Sequence, residues 1–243
     1  MRLDKYVAYA RMCTRSEART LIRQGIITVN GEPIKDPGYT LSSDTSDNVS
    51  INGAPLSSNE NLYFAFHKPD GYLSALQDKR LPTIADFFPK ELLYKGLAPV
   101  GRLDFHTTGL LLLTNDGSFS HLVTSPKGQI SKVYRVTFSG APITEKNISD
   151  FSRGITLLDI PEKPLHCQPA ILDRTDQENT ALLTLTEGKT HQVRRMFASI
   201  NRSVTALERI AIGSIHLSDL PPGTYRPLST EEIKSFQHID IQL

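Results

Sequence analysis

The sequence has no tryptophan, two cysteines and no long hydrophobic run. Cys13 and Cys167 lie far apart, so we expect no disulfide framework and a reducing compartment. No apolar stretch approaches the roughly 18–20 residues of a membrane-spanning helix. The opening Met-Arg-Leu-Asp-Lys lacks the apolar centre of a signal peptide. These absences predict a cytoplasmic protein without a membrane segment.

The motifs of several common chemistries are missing as well. Gly188-Lys189-Thr190 resembles the end of a phosphate-binding loop, but Leu183 stands where that loop needs its first glycine. Neither a dinucleotide-binding glycine pattern nor the serine elbow of hydrolases is present. The seven histidines have no ligand-like spacing with each other or with the cysteines. The sequence therefore predicts no metal, nucleotide or other cofactor.

The charge of the chain is unevenly distributed. Its 243 residues are 39% hydrophobic and 22% charged, with a net charge of +1. Residues 1–35 hold seven lysines and arginines against three acids, a net of +4, whereas the remainder holds 20 against 23, a net of −3. A basic N-terminal module on a mildly acidic body indicates an anion-binding appendage.

Two short helices are predicted at the N-terminus. Apolar residues at helical spacing form one face of the first helix: Leu3, Tyr6, Val7 and Ala10. Thr14, with Glu17 three residues later, is a capping box that opens the second. Arginines then recur every four residues on its outer face: Arg15, Arg19 and Arg23, with Arg11 before them. From spacing alone, this stripe is equally well a phosphate-binding surface or a solvated basic face.

Short strands are expected after these helices. Asn30-Gly31 and Asn52-Gly53 are strong hairpin turn signals. The polar segment 55–61 is the predicted linker. Beyond it, hydrophobic patterns predict strands over 62–66, 110–114, 133–138 and 181–185 and helices over 83–88 and 191–200. Because few βαβ crossover lengths occur, the fold class is α+β with a largely antiparallel sheet.

One carboxylate stands out. Gly101-Arg102-Leu103-Asp104 places Asp104 in a glycine-bounded turn just before a run of leucines. A buried strand is rigid, so a carboxylate at its start is aimed as a nucleophile or base must be. A helix cap or turn aspartate is the more ordinary interpretation when this motif stands alone.

Three further segments carry groups suited to chemistry or RNA contact. They are His67-Lys68-Pro69-Asp70-Gly71-Tyr72, Ser131-Lys132-Val133-Tyr134 and residues 187–196, where a glycine turn precedes His191-Gln192-Val193-Arg194-Arg195. Taken singly, Tyr134 is most often a strand residue with a solvated tip, and Arg194 and Arg195 are most often surface charges.

The segment from Arg2 to Gly31 resembles an S4 domain, a small RNA-binding module of ribosomal proteins, ribosomal RNA-modifying enzymes and tyrosyl-tRNA synthetases. The resemblance implies that the arginine-striped helix binds the backbone of structured RNA. The RNA-binding residues implied in this module are Arg2, Lys5, Arg11, Arg15, Arg19 and Arg23.

Taken in order, the motifs resemble the RsuA family of pseudouridine synthases over nearly the whole chain. They are Gly-Arg-Leu-Asp104 with Thr-Thr-Gly-Leu, Thr124-Ser125-Pro126, Lys132-x-Tyr134, His-Gln-Val-Arg-Arg-Met-Phe, and Pro222 to Leu228. The resemblance implies an S4 domain at 1–58 and a catalytic domain at 62–243. It also implies an isomerase that breaks the N1–C1′ bond of a uridine in RNA, turns the uracil and rejoins it through C5, without a cofactor.

Residue roles follow from the same resemblance. Asp104 is the essential carboxylate, attacking the sugar or removing a ribose proton. Tyr134 stacks on the target base, and Arg194 pairs with Asp104 and keeps the pKa of its carboxyl low. Arg102 fills the space left by the extruded nucleotide or binds its phosphates. The other RNA-binding residues are Lys189, His191 and Arg195. Many relatives have arginine where Lys189 stands, so a phosphate contact there loses its bidentate geometry.

The target and its alternatives remain separate expectations. Within the family, the sequence most resembles members that modify one uridine of 16S ribosomal RNA, position 516 in the usual numbering, either as naked RNA or in an assembling small-subunit particle. The alternatives are a large-subunit ribosomal RNA enzyme, a non-catalytic S4-type assembly factor, and a glycosidase, which needs a second carboxylate such as Asp116. We expect a monomer.

Overall fold

The computed structural model describes residues 1–11, 13–42, 47–56, 61–159 and 164–237. The chain divides into two compact units. The smaller unit consists of Met1–Leu62 and Phe88–Ala98, and the larger of Tyr63–Phe87 and Pro99–Leu243. Among the helices of the described segments, none is long and apolar enough to span a bilayer.

The smaller unit combines short helices with a small sheet. Its elements are α1 (Leu3–Arg11), α2 (Arg15–Arg23), β1 (Ile27–Val29), β2 (Glu32–Pro33), β3 (Val49–Ile51), β4 (Ala54–Pro55) and α3 (Lys90–Tyr94). The strands pair antiparallel in the order β2-β1-β3-β4. The apolar faces of α1 and α2 pack on this sheet and share one core with it.

Local sequence signals in this unit are confirmed. The side chain of Thr14 accepts from the backbone N–H of Glu17, and the Glu17 carboxylate accepts from the N–H of Thr14. Asn30-Gly31 and Asn52-Gly53 close the two hairpins, and all four residues have positive φ, as a type I′ turn requires. The predicted linker begins too early, because Pro55 ends β4 and Leu56 is buried in the core. Its positions 57–60 lie outside the described residues.

The larger unit is built on one mixed sheet. In chain order its elements are β5 (Tyr63–Lys68), β6 (Ala98–Pro99, where the chain passes between the units), β7 (Thr108–Thr114), α4 (Gly117–Thr124), β8 (Lys132–Ser139), α5 (Glu145–Arg153), β9 (Thr156–Leu157), β10 (Leu165–His166), β11 (Ile171–Arg174), β12 (Thr180–Leu185), α6 (Gln192–Ser199), β13 (Ser203–Ile212), β14 (Ile215–His216), β15 (Tyr225–Pro227) and α7 (Thr230–Gln237). Short 3-10 helices span Ile84–Phe87 and Pro126–Gly128.

The order of the strands in this sheet is β11-β12-β8-β13-β7-β5-β15. β13 and β7 are parallel, whereas the other neighbours along this path are antiparallel. The predicted α+β class with a largely antiparallel sheet is therefore confirmed. The leucine run of β7 is central, since β5 and β13 flank it and Leu110 to Leu113 have no exposed surface.

Glycine is required where β7 meets β13. Gly109 has φ +100°, and a Cβ at this position would lie 2.3 Å from the carbonyl oxygen of Arg209. This close approach brings the backbone of Arg209 beside the start of β7. The Asp104 turn, which directly precedes β7, and the middle of β13 are thus held side by side.

Helices cover the β8 face that carries Tyr134, Val136 and Phe138, since residues two apart on a strand share a face. The ring of Phe138 packs on Phe197 of α6, with 5.5 Å between centroids. Phe151 of α5 also packs on Phe197, with 6.1 Å between centroids. Tyr134 lies beyond these contacts, toward the start of the strand.

Candidate active site

The turn that carries Asp104 is held by a buried serine. The hydroxyl of Ser74 donates to the carbonyl oxygen of Leu103 at 2.9 Å and accepts from the backbone N–H of Leu103 at 3.0 Å. The N–H of Thr107 donates to the carbonyl oxygen of Asp104 and closes the turn on its other side. The backbone on both sides of Asp104 is therefore fixed before any substrate binds.

A buried lysine holds the same turn by hydrogen bonds to its backbone. Lys68, at the end of β5, is 0% exposed, and its Nζ donates to the carbonyl oxygens of Pro69, Phe105 and Thr107 at 2.9–3.1 Å. Burial lowers the pKa of Lys68 to about 8, against the opposing influence of Asp70 and Asp104. The lysine therefore supplies hydrogen bonds to the backbone of the turn and positive charge near Asp104.

Asp104 and Tyr134 line the same pocket, which has a volume of about 360 Å³. The Asp104 side chain is 39% exposed and accessible from the pocket. Tyr134 is almost fully buried, and Leu185 and Leu207 add apolar surface to the lining. A carboxylate beside an aromatic and apolar wall suits a flat, partly polar ligand.

Two cationic side chains lie on the same face of the sheet as Tyr134. Lys132 is two residues before Tyr134 on β8, and Arg209 of β13 is paired with Tyr134 across the two antiparallel strands. All three line the pocket. Burial, together with the nearby charge of Arg209, lowers the pKa of Lys132 to about 8.

The imidazole of His191 lies beside the carboxylate of Asp104. His191 precedes α6 in the left-handed conformation, with φ 50°, and this turn places its Nε2 3.6 Å from Asp104 Oδ1. The sequence predicts His191 as an RNA contact, and the structure adds its position beside the carboxylate. The predicted helix over 191–200 is confirmed as α6 (Gln192–Ser199).

The predicted pairing of Arg194 with Asp104 is wrong for this structure. Arg194 Nη2 donates to the carbonyl oxygen of His106 at 2.9 Å, and Nη1 donates to that of Val204 at 3.2 Å. Each terminal nitrogen of the guanidinium thus donates to a backbone carbonyl, and the bond to His106 braces the turn two residues beyond Asp104. Sequence motifs place Arg194 near the site but do not reveal that backbone carbonyls take up its donors.

The remaining predicted RNA contacts of the larger unit divide into two groups. Arg102 is exposed and Lys189 is partly exposed, and both line the pocket. Lys189 is paired with Glu187 at 3.0 Å and also donates to the carbonyl oxygen of His166. Arg195 instead forms a bidentate pair with Asp159, at 2.7 Å for both bonds, which raises its pKa.

A buried aspartate organises the arginines of the smaller unit. Asp4 has no exposed surface and accepts hydrogen bonds from Arg2, Arg15 and Arg19 at 2.9–3.3 Å. Burial opposes its charge, but the hydrogen bonds from the three arginines outweigh burial and lower the pKa of Asp4 to about 2. The arginine stripe is therefore partly anchored rather than freely solvated.

The other basic residues of this unit lie at its surface. Arg11 and Arg23 are exposed, and the Nζ of Lys5 lies 5.2 Å from the centroid of the Tyr9 ring. Three guanidinium groups around one carboxylate leave a net charge of +2 on this surface. Such a surface suits a polyanion.

Sequence reasoning missed the site roles of Lys68, Ser74 and Arg209. Lys68 belongs to the segment 67–72 that the sequence identifies as a candidate, but its burial follows from the pairing of β5 with β7. Arg209 interrupts an apolar strand, Leu-Glu-Arg-Ile-Ala-Ile, and a charge on the inward face of such a strand is the signal that could have identified it.

Two protein-family models match the chain. RNA pseudouridylate synthase matches residues 62–199, and the S4 domain matches residues 1–56. A solved structure described as a pseudouridylate synthase has a TM-score of 0.68 and 38% identity, and the match covers 97% of this chain and 99% of that one.

Curated relatives are similar over almost the full length. The ribosomal small subunit pseudouridine synthase A of Escherichia coli (strain K12) is 39% identical over 237 residues, which cover 97% of this chain and 99% of the relative. The ribosomal large subunit pseudouridine synthase B of Bacillus subtilis (strain 168) is 36% identical over 234 residues, which cover 96% and 94%. With both modules matched and a pocket that joins a fixed carboxylate to an aromatic wall, the chain belongs to the RNA pseudouridylate synthase family, a family of isomerases, and carries an N-terminal S4 domain.

Proposed function

We propose that this protein converts one uridine of small-subunit ribosomal RNA to pseudouridine and that Asp104 is its catalytic carboxylate. The observation that carries this proposal is the position of Asp104 in the same pocket as Tyr134, on a turn held by Ser74 and Lys68. The small-subunit target is supported by the 39% identity to the ribosomal small subunit pseudouridine synthase A of Escherichia coli.

The reaction needs one carboxylate close to the sugar. Breaking the N1–C1′ bond sends its electron pair to the base, and Asp104 either bonds to C1′ or takes the proton from C2′. After the base has turned, C5 bonds to C1′ while the Asp104–C1′ bond breaks or, in the deprotonation route, while C2′ takes its proton back from Asp104. The C5 proton then leaves and N1 gains a proton. No atom is gained or lost, so no cofactor is required.

The pocket fits a nucleotide that has left the RNA helix. Extruding a base costs a few kcal/mol, and stacking on an aromatic ring such as Tyr134 returns roughly 1–3 kcal/mol. The rest must come from RNA contacts elsewhere, for which Arg102 and the arginines around Asp4 are suitable. Arg194 acts in this proposal by bracing the turn at His106.

The test removes the carboxylate without changing its shape. With Asp104→Asn we expect no tritium release from 5-tritiated uridine in a ribosomal RNA fragment, whereas RNA affinity stays at the wild-type value. Asp173→Asn, which neutralises an exposed carboxylate on β11, serves as the matched control and keeps full activity. Normal release by Asp104→Asn would refute the catalytic assignment. No release by the wild-type protein on any ribosomal RNA fragment would leave the non-catalytic RNA-binding factor.

The target is tested by mapping pseudouridine in ribosomal RNA from a deletion strain by carbodiimide labelling. Loss at position 516 of 16S RNA supports the proposal. Loss in 23S RNA instead assigns the large-subunit function, which the 36% identity to the Bacillus subtilis enzyme also favours.

The partner is ribosomal RNA, free or in an assembling small-subunit particle, and we place the reaction in the cytoplasm, where that RNA is found. We propose that the protein acts as a monomer. Comparing rates on naked 16S RNA and on partly assembled particles distinguishes the two substrates.

A further inference from the structure

Two residues that line the pocket each carry a buried polar atom without a hydrogen-bond partner. Among the residues that the structure describes, the buried side-chain nitrogen and oxygen atoms without a hydrogen bond are Arg209 Nη2 and Thr107 Oγ1. Both residues line the pocket that contains Asp104. Unpaired buried polar groups are rare because they lower stability, so their presence together at one pocket indicates a polar ligand.

Arg209 cannot turn its guanidinium toward solvent. The residue is 3% exposed, and its Nε donates to the carbonyl oxygen of Leu110 at 2.8 Å. The close contact with Gly109 fixes the backbone of Arg209. Within the described ranges, no ion pair includes Arg209. One side of the group is therefore anchored, whereas Nη2 has no acceptor among the described residues.

The basic side chains of the pocket differ in their burial. Arg209 is almost fully buried, and Lys132 is partly buried on the same face of the sheet. Arg102 and His191 are exposed and also line the pocket. When a nucleotide enters a pocket, its base goes deepest and its phosphates stay at the opening, where the RNA strand continues. Arg209 therefore meets the base, whereas Arg102 is placed for the phosphates.

The geometry points to Arg209 as a further catalytic residue: its guanidinium hydrogen-bonds a carbonyl oxygen of the target uracil and balances the negative charge of the detached ring. This inference rests on the proposed isomerase function. When the N1–C1′ bond breaks, its electron pair stays on the ring, and the charge spreads from N1 to O2 and O4. A buried, preorganised guanidinium stabilises that charge most strongly where it develops, which lowers the barrier to bond cleavage. Thr107 Oγ1 is a second polar contact for the ring.

The experiment perturbs both sides of the proposed hydrogen bond. RNA fragments carry uridine, 2-thiouridine or 4-thiouridine at the target, in whichever ribosomal RNA the wild-type protein converts. Single-turnover rates are measured by nucleoside chromatography for wild type and Arg209→Gln. We expect Arg209→Gln to lower the rate on uridine about 100-fold, with RNA affinity unchanged. Sulfur is a weak acceptor, so one thio substrate also slows the wild type, and the two losses do not multiply in the variant.

Several outcomes would overturn the assignment. In the first, the rate loss caused by Arg209→Gln and the rate loss caused by the sulfur multiply for both thio substrates. Arg209 then acts without contacting either carbonyl oxygen. Another is weaker RNA binding at an unchanged rate, because Arg209 then binds phosphate. If Arg209→Gln does not fold, the wild type alone decides: equal rates on all three RNAs refute the contact. Arg135→Gln removes an arginine paired with Glu208 on the other face of the same strands, and this control keeps the wild-type rate. Failure of the wild type on every ribosomal RNA refutes the proposed function instead.

Discussion

Lys68→Met is the substitution that tests how the scaffold holds the catalytic turn. The ammonium group of Lys68 donates to three backbone carbonyls, and two of them, at Phe105 and Thr107, belong to the turn that follows Asp104. Methionine fills a similar volume but donates nothing. The substitution therefore removes one donor from each of three carbonyl groups, of which that of Phe105 keeps the N–H of Gly71, while Asp104 itself is unchanged.

The magnitude follows from two opposing contributions. Hydrogen bonds from a charged donor contribute about 2 kcal/mol each, or about 6 kcal/mol for the three. Burying the charge opposes them, since a pKa lowered from 10.5 to about 8 corresponds to about 3 kcal/mol. At neutral pH we expect Lys68→Met to destabilise the turn by about 3 kcal/mol. A displacement of Asp104 by about 1 Å then lowers kcat about 100-fold.

Hydrogen exchange measures the turn directly, because the N–H of Gly71 donates to the carbonyl of Phe105 and that of Thr107 to the carbonyl of Asp104. We expect faster exchange at both amides in Lys68→Met and a lower single-turnover rate, with RNA affinity unchanged. Lys79→Met removes an exposed lysine and leaves exchange and rate at wild-type values. If Lys68→Met retained wild-type exchange and rate, the reasoning about this lysine would be refuted.

Two further predictions concern other parts of the fold. Gly109→Ala places a Cβ 2.3 Å from the Arg209 carbonyl oxygen, so we expect a lower Tm and lower activity. The control Gly117→Ala keeps the wild-type Tm, because nothing lies within 4 Å of the added atom. Equal Tm values for the two variants would contradict this account. Asp4→Asn speeds hydrogen exchange in α1 and α2 at pH 7 by the equivalent of about 2 kcal/mol, because the pKa of Asp4 is lowered to about 2. A lowered carboxyl pKa stabilises above the unfolded pKa, so this difference disappears as pH falls from about 4 to about 2, and a difference that persists at pH 2 excludes the ion-pair explanation.

Features set by nearby residues could be predicted from the sequence. The capping box at Thr14 joins groups three residues apart, and the Asn-Gly turns depend on the backbone preferences of two adjacent residues. The buried strand of leucines is likewise indicated by its own composition. These predictions succeed because the interactions that produce them are contained in a few consecutive residues.

Contacts between distant residues could not be predicted in the same way. Lys68 meets the Asp104 turn because β5 pairs with β7 in a register that places Lys68 opposite Gly109. Arg209 joins the pocket because β13 lies between β7 and β8, with a register shift after Arg209. The orientation of the Arg194 guanidinium is fixed by hydrogen bonds to the carbonyl oxygens of His106, in the Asp104 turn, and of Val204, in β13. Motifs can assign such residues to a site, but the partner of each donor depends on tertiary pairing.

The positions of the carboxylates also separate the isomerase from a glycosidase, which needs a second carboxylic acid to protonate the leaving group. Asp116 caps α4 by accepting from Ser118 and Phe119, outside the residues that line the pocket. Among the described lining residues the other carboxylate is Glu187. Its Oε1 accepts from the Gln192 side chain and the Gln168 backbone, and its Oε2 pairs with Lys189. Both of its oxygens are occupied, so Glu187 is not placed as the second carboxylic acid that a glycosidase needs. A base that leaves without a proton leaves as an anion, and this is the charge that the buried cations beside Tyr134 are placed to balance.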